Sequence, residues 1–213
     1  MTTPTAMVFV IDDDHSVRKS LRRLLDAAQY KTELFKSASE FLSRSAHPGP
    51  SCIVIDVRMP GLTGMDLQKA LIESGREEQL VFITAHGDIP MCAQAMKAGA
   101  VDFLPKPFKP QQLLESVERA LSRSAEQLLR ASERNQARAL LRQLTPREYE
   151  VMGLVATGLL NKQVGAELGM AEKTVKTHRA HVMQKLGITS VAKLMVVLQK
   201  AEVTPPFRPR TKV

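Results

Sequence analysis

The chain has 213 residues and 44% hydrophobic content, enough for real cores, which sets aside disorder as its main state. No apolar run approaches the roughly 18 to 20 residues that span a bilayer, and the N-terminus lacks the charged start and apolar stretch of a secretory signal, so a cytoplasmic protein without membrane contact is expected. The net charge of +8 lies wholly in the second part: residues 1–122 hold 14 Lys+Arg against 15 Asp+Glu and residues 123–213 hold 16 against 7, which points to a polyanion as the second part's partner.

In the first part, short apolar runs alternate with helix-like segments. The runs are MVFVI (7–11), TELF (32–35), CIVI (52–55), LVFI (80–83) and VDFL (101–104). Most segments between them place apolar residues at i, i+3 and i+4. Repeated strand-helix units predict an α/β fold, a doubly wound parallel five-stranded sheet covered by helices on both faces. Cys52 and Cys92 sit in a strand-like and a helix-like run without metal-site spacing, and both read as packing residues.

From Leu113 the helical pattern runs on without Gly or Pro through residues 123–142, which predicts a solvated helical linker. A short coiled-coil seam through Leu121, Ala125 and Leu128 is the alternative, though it then meets Ser132 and Asn135. The next segment, LTPREYE, has Thr145 as N-cap, Pro146 at the first helical position and Glu148 three residues after the cap, a capping-box pattern. Helices are predicted at about 146–157, 161–168, 172–186 and 190–201, with Gly158, Gly169 and Gly187 as stops, making a small all-α second domain over 143–203. Residues 204–213, rich in Pro and basic residues, predict a flexible tail.

The chemistry-bearing residues of the first part fall at strand ends. Asp12, Asp13 and Asp14 follow the first run, Asp56 the third, Thr84 the fourth, and Lys106 lies just beyond the fifth. In an open parallel sheet these positions share the carboxyl edge, where such folds bind ligands. Carboxylates there suit a hard divalent cation with phosphate oxygens, hence metal-assisted phosphoryl transfer. Aspartates at strand ends also cap helices, a reading that applies above all to Asp14.

The pieces VIDDD, VIDVRMPGLTG and FITAHGDIPMCAQAMKAGAVDFLPKPF, with an Asp pair, Asp, Thr and Lys in that order, resemble the receiver domain of two-component response regulators over residues 1–122. The resemblance implies a flavodoxin-like sheet of order 2-1-3-4-5. It implies that Asp56 is the phosphoacceptor for a sensor histidine kinase, assisted by Thr84 and Lys106. Mg²⁺ (or Mn²⁺) would be held by Asp12, Asp13, Asp56 and the backbone carbonyl of Arg58. Phe103 matches the family's switch aromatic and Lys106-Pro107 its cis peptide, and phosphorylation would act on the face made by the fourth helix, fifth strand and fifth helix.

Residues 143–201 resemble the LuxR-type helix-turn-helix of the NarL/FixJ family over LTPREYEVMGLVATGLLNKQVGAELGMAEKTVKTHRAHVMQKLGI. In the 172–186 helix, Val175, Val182 and Leu186, with His178 in part, form an apolar face, and Lys173, Lys176, Thr177, Ala180 and Gln184 lie opposite. By the resemblance, Lys176, Thr177 and Ala180 face base edges. Lys173, Thr174, Arg179, Lys185, Asn161 and Lys162 would bind phosphates. His178 and His181 have no Cys or acidic partner at ligand spacing and read as packing or phosphate contacts. Ala171 stands where the family commonly has a capping Ser.

The expected protein is a transcription regulator, not an enzyme: phosphorylation at Asp56 controls promoter binding, with activation, RNA polymerase contact and a homodimer expected. Leu194, Val197 and Leu198 are either a second dimer contact or packing within their own domain. Two rivals use the same residues. A Mg²⁺-dependent phosphatase would need an acid or base beside the nucleophile, where Arg58 stands instead. A phosphorylation-independent DNA-binding adaptor would use the first domain only for docking.

Overall fold

The five apolar runs form β1 (Met7–Ile11), β2 (Lys31–Phe35), β3 (Ser51–Asp56), β4 (Gln79–Thr84) and β5 (Asp102–Pro105). All pair in parallel, in the order β2-β1-β3-β4-β5. Side chains alternate faces along a strand, so β1 sends Phe9 and Ile11 to one core and Val8 and Val10 to the other. With both faces covered, the central strands are apolar through their middles, Cys52 to Ile55 in β3 and Leu80 to Ile83 in β4, and polar only at their ends, while the edge strand β2 alternates exposed and covered positions. The computed structural model describes residues 5–85 and 89–204; residues 86–88 and the expected tail from 205 onward lie outside the described residues.

The helices of the first part are α1 (His15–Ala27), α2 (Ala38–Leu42), α3 (Gly64–Glu73), α4 (Ile89–Lys97) and α5 (Pro110–Leu141). Leu21 and Leu25 of α1 pack with Leu113, Val117 and Ala120 of α5 on one face, and Phe41, Leu67, Leu71 and Ala95 cover the other. Cys52 is fully buried, and burial pushes its thiol pKa up. Cys92 is half-buried.

The chain divides into two compact units, Met1–Leu128 and Leu129–Val213. The first reaches past residue 122 because α5 keeps hydrogen-bonding the sheet: the buried Ser124 Oγ accepts from the Ser51 N–H at 3.0 Å. The stretch expected as a solvated linker is therefore only partly solvated. Ser124 is buried in the first unit, and Ala137 and Leu141 are buried in the core of the second.

The second unit contains the last turns of α5, then α6 (Pro146–Ala156), α7 (Asn161–Leu168), α8 (Glu172–Lys185) and α9 (Val191–Ala201). The capping box opens α6: Glu148 N–H donates to Thr145 Oγ1 at 3.3 Å and Thr145 N–H to Glu148 Oε2 at 2.8 Å. Val151, Met152, Val164, Val175, Val182 and Leu186 make its core. Leu194 and Leu198 join that core and Val197 packs against it, so packing within their own unit accounts for them, and Met195 and Val196 are the large exposed apolar residues of α9. Gly165 is required where α7 meets the turn, since a Cβ there would lie 2.6 Å from the Met170 carbonyl oxygen. Ala171 precedes α8 with no side-chain cap.

Candidate functional site

The registers Ile11 to Ile55, Asp56 to Ile83 and Thr84 to Pro105 bring the carboxyl ends of four strands to one edge. Asp12, Asp13 and Asp56 converge there, each with a carboxylate oxygen within 4.8 Å of the others. Lys106 reaches across from the end of β5, its Nζ 3.0 Å from Asp12 Oδ2 and 3.3 Å from Asp56 Oδ2. Thr84 is buried at the end of β4, and its carbonyl accepts the Lys106 N–H at 2.7 Å.

Three carboxylates face one ammonium, which leaves the cluster negative. Burial raises the pKa of Asp12, and the bonds from Lys106 and the Asp14 N–H only partly offset it. For Lys106, burial pulls the pKa down, but the Asp12 and Asp56 carboxylates outweigh it and the net shift is upward. Oxygen donors that converge with excess negative charge fit a hard divalent cation such as Mg²⁺. Among the described residues, this is the one cluster of three or more side chains able to hold a metal.

The three consecutive aspartates divide their work. Asp14 is the N-cap of α1, its Oδ1 accepting from Ser16 N at 2.7 Å and Val17 N at 3.4 Å, while its own N–H donates to Asp12 Oδ1 at 2.9 Å. Asp12 is buried and Asp13 exposed. The Arg58 N–H lies 3.4 Å from Asp56 Oδ1. Phe103 is half-buried, its ring centroid 6.0 Å from that of Phe82, and Lys106-Pro107 is cis.

Two residues at this edge went unread in the sequence. Gly64 opens α3 directly under Asp56: a Cβ there would lie 2.7 Å from the Asp56 carbonyl oxygen. The Gly of PGLTG was visible in the sequence, but its contact is across space. Arg18 donates from Nη1 to the Asp12 carbonyl oxygen at 2.6 Å, its side chain reaching back from the first turn of α1 to the residue that follows β1.

On α8, Lys173, Thr174, Lys176, Thr177 and Ala180 are exposed, as is Lys162 on α7. Arg179 is half-buried and donates to Asn161 Oδ1 at 3.2 Å, which ties the start of α7 to α8. Lys185 is half-buried and donates to the buried Glu148 Oε2 at 2.6 Å. Glu148 sits with its pKa down to about 2, held there by Lys185 and by the Thr145 N–H. His178 is half-buried and His181 exposed, 3.8 Å from Glu148 Oε1.

The receiver domain of response regulators matches residues 8–118, and the luxR family of bacterial regulatory proteins matches residues 142–198. Nodulation protein W of Bradyrhizobium diazoefficiens is 45% identical over 210 residues, which cover 98% of this chain and 92% of that protein. The transcriptional regulatory protein FixJ of Azorhizobium caulinodans is 38% identical over 198 residues, 93% of this chain and 94% of its own. Among solved structures, the response regulator StyR is 47% identical at a TM-score of 0.81, over 92% of this chain and 99% of that one. Full-length FixJ from B. japonicum is 35% identical at a TM-score of 0.54, over 94% and 98%. Two domain matches in this order, and relatives covered almost end to end, set the phosphatase reading aside, since these are transcription regulators and not enzymes. The chain belongs to the NarL/FixJ family of two-component response regulators, a receiver domain joined to a DNA-binding LuxR-type helix-turn-helix that controls transcription.

Proposed function

We propose that Asp56 is the phosphoacceptor of this receiver and that its phosphorylation by a sensor histidine kinase controls promoter binding. The convergence of Asp12, Asp13, Asp56 and Lys106 on one sheet edge is the observation that supports this most. An Asp56 carboxylate oxygen attacks the phosphorus of a phosphohistidine. The P–O bond forms as the P–N bond breaks, and the imidazole leaves with the electron pair. A carboxylate needs no deprotonation at neutral pH to act as nucleophile. Lys106, already bonded to Asp56, exchanges that partner for the phosphoryl oxygens and neutralises their charge. Asp12, Asp13, Asp56 and the Arg58 carbonyl would hold Mg²⁺ (or Mn²⁺), which would supply the rest of the neutralisation.

The Thr84 hydroxyl, at the end of the adjacent strand, donates to the phosphoryl group, and Phe103 turns further inward into the space the threonine leaves. This biases the face formed by α4, β5 and α5 toward an active form that the chain already samples, and it favours a homodimer. In the output domain, Lys176, Thr177 and Ala180 present to base edges in the major groove. Lys173, Thr174, Lys162 and Asn161 take phosphates, with Arg179 and Lys185 joining when they exchange their present partners. The result is promoter binding, RNA polymerase contact and activation in the cytoplasm. No described helix is long and apolar enough to cross a membrane. The functional division that goes with this is a receiver over 1–122, a helical connection over 123–142 and a DNA-reading domain over 143–203. A gel shift on promoter fragments, with and without beryllofluoride, tests the switch: tighter binding and a larger oligomer with beryllofluoride are expected, and equal affinity and size in both states contradict it.

A further inference from the structure

Every polar group of Asp12 has a partner. Its N–H donates to the Phe35 carbonyl at 3.3 Å, its Oδ1 accepts from the Asp14 N–H at 2.9 Å, and its Oδ2 accepts from Lys106 at 3.0 Å. The fourth group, the carbonyl, accepts from Arg18 Nη1 at 2.6 Å. That carbonyl belongs to the peptide unit joining Asp12 to Asp13. The unit is planar, so holding its oxygen fixes the orientation of the whole plane and with it the backbone that aims Asp13. Asp13 is exposed, unlike Asp12, and is correspondingly dependent on its backbone for direction.

We infer that Arg18 is a positioning residue for the divalent-cation site, holding the Asp12–Asp13 peptide plane so that the Asp13 carboxylate stays aimed at Asp12 and Asp56. This rests on the cation site proposed above. Arg18 does not ligate the cation; its planar guanidinium reaches the carbonyl from the fourth residue of α1, whose first turn Asp14 caps. The same guanidinium is a positive charge beside a site for another positive charge. The two roles have opposite signs: loss of positioning weakens cation binding, whereas loss of repulsion strengthens it. The bond is short, and among the described residues it is the one bond to the carbonyl that links the two acids, so positioning outweighs repulsion.

The test is a titration of the full-length chain with Mn²⁺ alone, without phosphodonor, following the free ion by electron paramagnetic resonance. Arg18→Met, which keeps bulk but loses every donor, weakens Mn²⁺ binding roughly fivefold, the scale of one lost hydrogen bond. Arg18→Lys recovers much of it. Thermal melts with and without Mn²⁺ separate this from a purely structural role: positioning makes the Mn²⁺-induced rise in melting temperature smaller in Arg18→Met. An equal rise in both proteins, or Mn²⁺ binding as tight as in the unaltered chain or tighter, overturns the inference. The unaltered chain must itself bind Mn²⁺, and Asp13→Ala must lose that binding; if either fails, the cation site falls and the inference with it.

Discussion

Lys185 Nζ lies 2.6 Å from Glu148 Oε2, so the last turn of α8 is fastened to the residue that also closes the capping box of α6. One carboxylate thus serves a helix start and a helix-helix contact. Replacing it should be felt in both. Glu148→Ala removes the bonds to Thr145 and Lys185 together and should cost the second unit about 2 kcal/mol, read from the shift in its denaturant midpoint. Unchanged stability would show that water replaces both partners without penalty.

The same group predicts an acid dependence. Its pKa lies at about 2 in the fold against an ordinary 4.5, because the folded state binds the carboxylate form through Lys185 and Thr145. A depressed pKa stabilises the fold fully above the unfolded value, and that contribution fades as pH falls from about 4.5 toward about 2. Melting of the second unit should lose stability across that window, and Glu148→Gln should lose less, since it has no proton to gain. Parallel curves for the two proteins would point to other carboxylates.

The neighbouring aspartates should separate cleanly. Asp13→Ala is expected to abolish Mg²⁺-dependent phosphorylation by acetyl phosphate. Asp14→Ala should largely spare it while lowering stability by about 1 kcal/mol through the lost cap of α1. If Asp14→Ala abolishes phosphorylation as well, Asp14 belongs to the acid site, not only to the helix.

Gly64→Ala tests the close approach under Asp56. The added Cβ would meet the Asp56 carbonyl oxygen at 2.7 Å, and the nearest atoms include backbone, which yields little. A loss of about 1 to 3 kcal/mol in the first unit is expected, with slower phosphorylation as Asp56 shifts. Wild-type stability and rate would show that α3 moves away at no cost.

Much of this was legible in the residues. The strands of the sheet appear as apolar runs because parallel strands are buried on both faces, and their ends carry Asp12, Asp56 and Thr84 because the register aligns them. The capping box of α6 was readable because both partners lie within four residues. What escaped the sequence depends on distance in the chain. Ser124 reaches Ser51 from the expected linker, and Gly64 meets Asp56 only after α3 docks. The resemblance makes Lys185 a phosphate contact, and its bond to Glu148 does not show in the sequence because the two residues meet only after α6 and α8 pack.

Asp56 is the residue proposed to receive the phosphoryl group. The most direct measurement is mapping the acyl phosphate in the full-length chain after acetyl phosphate treatment, by borohydride reduction and peptide mass spectrometry. The modification is expected on Asp56 alone and absent from Asp56→Asn, which should also lose the phosphodonor-dependent gain in promoter binding. Modification at another aspartate, or an Asp56→Asn protein that still gains affinity on treatment, would contradict the account.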